Sequence, residues 1–200
     1  MKQIAFLLLM MLLCTSVFSQ QKDIETEDTT GISAYISPFF ETTSMIKSTS
    51  FIGGIGGILI TPNIIVGGFG KAMTSYFKID STYNKSNNAY EHNLELDFGG
   101  GGLVIGYIFM PAKKVHPIIM LWAGGGSISL SNKNKTRIKE LYDDFWLYNG
   151  TIEIDYRPLK FLSFGIGAHY QMVSGLKLDG YSNENFNGAG LFVNIKAGSF

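Results

Sequence analysis

The feature that most constrains this chain is an alternation that puts charge on one parity and grease on the other. From Trp146 to Arg157 the side chains Trp146, Tyr148, Ile152, Ile154 and Tyr156 share one parity, while Asn149, Thr151, Glu153, Asp155 and Arg157 share the other. A β-strand turns successive side chains to opposite faces, so this segment has one oily face and one ionised face. The pattern returns at Leu162, Phe164, Ile166, Ala168, Tyr170 and Met172 against Ser163, Gly165, Gly167, His169 and Gln171. It returns again at Leu191, Val193, Ile195 and Ala197 against Asn194 and Lys196. Charges turned into a dry core are costly unless paired, whereas in a lumen they can meet one another and water. Aromatic residues near the ends of the oily face suit the interfacial girdles of a membrane barrel. Trp146, Tyr148, Tyr156 and Tyr107 are the girdle candidates. The competing reading is a soluble sandwich with one wet face.

Eight such runs are predicted: Ile32–Met45, Thr49–Ile60, Asn63–Phe77, His92–Met110, His116–Leu130, Tyr142–Tyr156, Phe161–Val173 and Phe186–Phe200. Three connections are short and contain proline, which fixes φ and suits a turn: Thr61-Pro62, Pro111 to Val115, and Arg157 to Lys160. Three others, Lys78–Glu91, Ser131–Leu141 and Ser174–Asn185, are long and rich in Asn, Ser and Lys. Short turns at one end and long polar loops at the other predict an eight-stranded antiparallel up-and-down transmembrane β-barrel with a filled polar or mixed lumen. An even strand count puts both ends of the barrel on the short-turn side.

The opening of the chain reads as an export signal over residues 1–19. Lys2 precedes an apolar run from Ile4 to Leu13, and Val17-Phe18-Ser19 offers a cleavage site. That run is too short to span a bilayer comfortably. Leu13 stands before Cys14, where lipid attachment normally needs a small residue. Residues 20–31 are expected to be a flexible acidic lead segment, and 32–200 the barrel. The chain has 16 basic and 16 acidic residues, and losing Lys2 with the signal leaves a formal charge of −1. That balance points away from nucleic acid. With Cys14 gone there is neither a disulfide framework nor thiol chemistry. Later stretches are too short and too polar for membrane helices, so a membrane-embedded chain must close its backbone hydrogen bonds between strands.

In the fourth run Leu94, Leu96 and Phe98 alternate with Glu95 and Asp97, but beyond Gly99–Gly102 the apolar parity moves to Leu103, Ile105, Tyr107 and Phe109. One extra residue flips strand phase, so a β-bulge inside the glycine run is expected. The third run is apolar on both parities and is left unoriented. The glycine clusters lack a Gly-Lys-Ser/Thr ending and sit inside strands, which argues against a phosphate loop.

The phrases Gly53-Gly54-Ile55-Gly56-Gly57, Gly101 to Phe109, and Gly124-Gly125-Gly126, with the terminal Phe200, carry a resemblance. The chain resembles the small outer-membrane β-barrels of the OmpA/OmpX-like superfamily, and most nearly an uncharacterised outer-membrane barrel group. The resemblance implies an outer-membrane location, an assembly signal at Phe200, and contact with membrane lipid, lipopolysaccharide and the barrel-assembly machinery. It specifies no activity, and the small-molecule ligand, if any, is left open. In that group a basic residue is frequent where Ile55 stands, and Phe200 shares the parity of Lys196 rather than of Val193 and Ile195.

The main chemical constellation is the set expected to face inward: Lys71, Glu95, Asp97, Glu153, Asp155, Arg157 and Lys196. It reads either as a polar conduit or as a salt-bridged plug. An eight-stranded barrel is just wide enough for its own side chains, which favours the plug. His92, His116 and His169 show no metal-ligand spacing, and no cofactor is expected. Ser163 and His169 share a face, with Glu153 on the neighbouring run; a lipid-modifying hydrolase or acyltransferase is a distant alternative, and a narrow channel for small or hydrophobic solutes another. Lys133, Lys135, Arg137 and Lys139 form a basic loop that reads first as a solvated loop and second as a lipopolysaccharide contact. A non-enzymatic barrel with a structural or surface role through its long loops is the favoured reading.

Overall fold

The structure is a computed structural model. It describes the backbone of residues 33–45, 49–74, 77–84, 89–131, 137–178 and 180–199, and their side chains outside 77–93, 131 and 137–141. The signal, the lead segment, Lys133, Lys135 and Phe200 lie outside the described residues, as do the side chains of His92, Arg137 and Lys139.

The strands are β1 (Ser33–Thr43), β2 (Thr49–Leu59), β3 (Ile64–Met73), β4 (Phe77–Asn84), β5 (Ala89–Ile108), β6 (Val115–Ser131), β7 (Arg137–Leu159), β8 (Leu162–Ser174) and β9 (Gly188–Gly198). A 3₁₀ turn at Asn183–Phe186 precedes β9. All pairings are antiparallel and, apart from β3 with β5 and β1 with β9, they join chain neighbours. β3 and β4 both pair with β5, at its lower and upper parts, so the two act as one wall strand. The β3–β5 pairing therefore closes the sheet into an eight-stranded barrel, which satisfies the backbone in hydrocarbon.

The turns at 60–63, 109–114 and 160–161 lie at one end, here called lower. At the first of them Ile60 N donates to Ile64 O at 3.0 Å, and Asn63 Nδ2 donates to Ile108 O at 2.8 Å. β5, β6 and β7 run 20, 17 and 23 residues against 11 for β1, β2 and β9. One side of the wall therefore rises well above the rest at the upper end.

The expected bulge in the glycine run is absent. β5 keeps a single register against β6 from Glu95↔Ser131 to Ile108↔Ile118. The irregularity sits on the facing wall instead: Ala72 faces Gly99 and Phe77 faces Leu96, so five steps on one strand answer three on the other. From Leu94 to Ile108 the even positions of β5 point inward, and Leu94, Leu96, Phe98, Val104 and Ile108 are all buried. What changes along β5 is the surroundings of its outer face. Low down that face is Leu103, Ile105 and Tyr107; high up it is Glu95 and Asp97. The strand leaves the apolar belt and exchanges lipid for water without any change of backbone phase. β3 is oriented by Ile65, Phe69 and Lys71 inside and Ile64 and Val66 outside.

Large inward side chains fit because glycine stands opposite them on the neighbouring strand. Phe145 faces Gly126 across β6–β7, and a Cβ at Gly126 would come within 2.5 Å of that ring. Phe192 likewise faces Gly167 across β8–β9, with its ring 2.6 Å from where a Cβ would stand.

Candidate functional site in the lumen

The outer surface of the barrel is a belt of exposed apolar side chains, among them Ile36, Phe40, Leu103, Leu121, Ile152, Ile166, Leu191 and Val193. Trp146, Tyr148, Tyr156 and Tyr107 all face outward in it. Trp146 and Tyr156 stand at opposite ends of the β7 oily stripe, with Ile152 and Ile154 between them.

The inside is layered. Near the lower end β7 turns Glu153 and Asp155 inward, β9 turns Lys196, and β6 turns His116, all at most 2% exposed. Lys196 Nζ donates to Glu153 Oε1 at 2.6 Å and to Asp155 Oδ1 at 3.1 Å. Asn194 Nδ2 adds a bond to Glu153 Oε1 at 3.1 Å, and Ser163 Oγ donates to Asp155 Oδ2 at 2.5 Å. His116 Nε2 lies 3.2 Å from Asp155 Oδ2, while its Nδ1 meets Lys113 O at 3.0 Å. The register explains the meeting: Ser163 faces Lys196 across β8–β9, and His116 faces Asp155 across β6–β7.

Above this layer lies an aromatic one. Trp122 from β6 packs between Phe39 from β1, at 5.4 Å between ring centroids, and Phe69 from β3, at 5.0 Å. A second ionic layer follows. Lys71 Nζ donates to Glu41 Oε1 at 2.5 Å and to Gln171 Oε1 at 2.6 Å, and it lies 4.8 Å over the Phe51 ring. His169 joins this layer, with Nε2 2.8 Å from Thr43 Oγ1 and Nδ1 3.7 Å from Glu41 Oε2.

The top is apolar. Phe51, Leu94, Leu96, Phe98, Ile128, Leu130, Phe145, Leu147 and Val173 line the mouth, and the segment between β8 and β9 folds Leu176, Leu178 and Phe186 into it. Phe186 is fully buried, with its ring stacked on Phe98 at 6.0 Å.

Of the residues expected inside, Lys71, Glu153, Asp155 and Lys196 are in the lumen, divided between two layers. Glu95 and Asp97 are a correction. They point outward above the belt, because the inward parity of β5 belongs to Leu94, Leu96 and Phe98. Arg157 is half-buried at the lower rim, with Nη1 3.5 Å from Pro111 O. Ser163 and His169 belong to different layers, so the pairing considered between them does not occur. A hydroxyl, an imidazole and a carboxylate do line up at Thr43, His169 and Glu41, but all three are at most 4% exposed and Glu41 is bound to Lys71. Glu41 was missed in the sequence. Its signal was its parity with Ser37 and Thr43, masked by Tyr35 and Phe39, which are buried on the same face. Among the described residues no His, Cys, Asp and Glu cluster is arranged to hold a metal.

A closed antiparallel barrel, apolar where it meets its surroundings and ionised inside, is an outer-membrane β-barrel. Solved structures agree on the fold. The chain is similar to Neisserial surface protein A, with a TM-score of 0.60 and 11% identity over 87% of this chain and 100% of that one. It is also similar to the N-terminal β-barrel domain of Pseudomonas aeruginosa OprF, with a TM-score of 0.53 and 12% identity over 83% of this chain and 96% of that domain. No family model and no curated protein sequence matches the chain. The fold and the apolar belt together place it in a bacterial outer membrane.

Proposed function

We propose that the protein is a sealed, non-enzymatic outer-membrane barrel that serves the envelope structurally and meets its surroundings through its long loops. The observation that carries this reading is the layered lumen. Two ionic layers, with the Phe39–Trp122–Phe69 layer between them and an apolar stopper above, occupy a barrel only wide enough for its own side chains. Buried ions paired with opposite charges hold position, and replacing any of them by water means separating charges in a low-dielectric space. Glu153, Asp155, Lys196 and Lys71 thus act as stabilisers of the seal. Trp146, Tyr148, Tyr156 and Tyr107 anchor the two interfaces. Membrane lipid and lipopolysaccharide are the partners of the belt and the barrel-assembly machinery that of insertion, with Phe200 as its signal. The cleaved signal of residues 1–19 belongs to the same reading.

The test is conductance of the purified, refolded protein in planar bilayers. The expected result is a silent bilayer. A stable, reproducible conductance step would replace the seal with a narrow channel. An unchanged lipid profile in a deletion strain is expected, and an altered acylation pattern would restore the lipid-modifying reading.

A further inference from the structure

We propose that the segment between β8 and β9 is a displaceable stopper occupying a binding site, and that the site takes a small aromatic molecule carrying one hydrogen-bond acceptor. The segment is held together by its own bonds. Leu176 N donates to Asn183 Oδ1 at 3.0 Å, Ser182 N donates to Asn185 Oδ1 at 2.8 Å, and Tyr181 N donates to Leu178 O at 3.1 Å. It is tied to the wall where Lys177 N donates to Asp143 Oδ2 and Val173 N donates to Asn187 Oδ1, bonds that lifting it must break. It begins at Gly175, φ +89°, and turns again at Gly180, φ +82°, in the left-handed region that glycine enters without strain.

What the stopper inserts resembles a ligand. The Phe186 ring stacks on Phe98 at an interplanar angle of 17°, and the Phe186 carbonyl accepts from Gln171 Nε2 at 3.0 Å. Gln171 comes from β8, is fully buried and sits on the floor of the apolar mouth. Its orientation is set from below. Lys71 Nζ has only protons to give and takes the amide oxygen at 2.6 Å, so the amide nitrogen must face upward. With the stopper lifted, the floor offers a buried donor whose remaining neighbour is the weak acceptor Met45 Sδ at 3.4 Å. An unpaired buried donor is costly, so the opened mouth selects a guest that brings an acceptor. The walls, Phe51, Phe98, Phe145, Leu147 and Val173, ask for an apolar and preferably aromatic body. A compact aryl ketone or ester meets both demands. The second ionic layer and Trp122 remain in place beneath, so binding here leaves the seal closed. Its failure would be distinguishable from a failure of the seal, which conductance reads.

The probes are trifluoromethyl-acetophenone and its hydrocarbon counterpart trifluoromethyl-ethylbenzene. Both are followed by fluorine NMR line broadening on the full-length refolded barrel in micelles, with Gln171→Leu as the reference for partition into detergent. The expected result is binding of the ketone to the native sequence roughly 2- to 10-fold more tightly than the hydrocarbon, the range for one neutral hydrogen bond. That preference is lost in Gln171→Leu. In a Cys14→Ser background the buried Leu178→Cys thiol should be labelled faster by a water-soluble maleimide when the ketone is present. Equal affinity for the two probes in the native barrel, or labelling at Leu178→Cys indifferent to the ketone, overturns the proposal. The labelling arm needs no change at Gln171 and decides alone if Gln171→Leu does not fold.

Discussion

Replacing Lys196 by methionine tests whether the lower layer is a dry ionic network. Lys196 Nζ lies 2.6 Å from Glu153 Oε1 and 3.1 Å from Asp155 Oδ1, and its side chain is 2% exposed. At an effective dielectric constant of about 20 these separations correspond to roughly 6 and 5 kcal/mol of attraction, most of it offset by the cost of taking three ions out of water. Methionine preserves the length of the stem and removes the charge. Two carboxylates are then left in one enclosure with Asn194, Ser163 and His116 as their remaining partners. Removing one partner from such a group costs about 3–5 kcal/mol, whereas replacing the whole group by neutral residues of like volume is often neutral. Lys196→Met should therefore lose about 3–5 kcal/mol, and Lys196→Met/Glu153→Gln/Asp155→Asn should recover most of that loss. The assay is urea unfolding in lipid vesicles, followed by tryptophan fluorescence and by the difference in gel migration between boiled and unboiled samples. A loss below about 1 kcal/mol for the single variant would show that water already screens these charges, and the dry lumen would be refuted.

Position relative to the belt gives a second contrast. Ile152 is 63% exposed between the β7 aromatics, and Ile152→Lys should cost about 2–4 kcal/mol in vesicle refolding. Asp97→Lys, on the outer face above the belt, should cost less than Ile152→Lys in the same measurement. Gly126→Val should cost about 1–3 kcal/mol or more, because its Cβ would lie 2.5 Å from the Phe145 ring. Combining it with Phe145→Ala should recover part of the loss, and a strictly additive double variant would argue against the ring-over-glycine fit.

The strands were legible because a period of two survives whatever surrounds a strand, and because Pro62 and Pro111 fall in short turns while Pro158 sits in the register shift of β7 just before the third. Parity also oriented β7, β8 and β9, where charge and grease separate cleanly. It misled at Glu95 and Asp97 because alternation reports that two faces differ, not which solvent wets each. Along β5 the outer face passes from hydrocarbon to water, and the inner face passes from glycine and Val104 to Leu94, Leu96 and Phe98. The hydrophobic parity therefore inverts while the backbone runs straight. A bulge and a change of medium leave the same trace in sequence. Only the unbroken Glu95–Ile108 register against β6 separates them.

The same medium change explains why the interior is apolar above and ionised below. Where the wall rises past the lipid, its outer face is wet and its inner face is the only place to bury Leu94, Leu96, Phe98, Ile128 and Leu130, so this part is built like a water-soluble domain. Where the wall crosses lipid, apolar side chains serve best outside, and the lumen takes the polar remainder. Glu41 and Lys71 answer one another in the upper ionic layer, as do Lys196, Glu153 and Asp155 in the lower. Between them Phe39, Trp122 and Phe69 pack together. The Phe39 ring is packed against Gly53, its register partner on β2. The glycines that resemble a phosphate loop in sequence are thus partly the complement of inward rings one strand away. Their spacing becomes intelligible only once register says which ring each one faces.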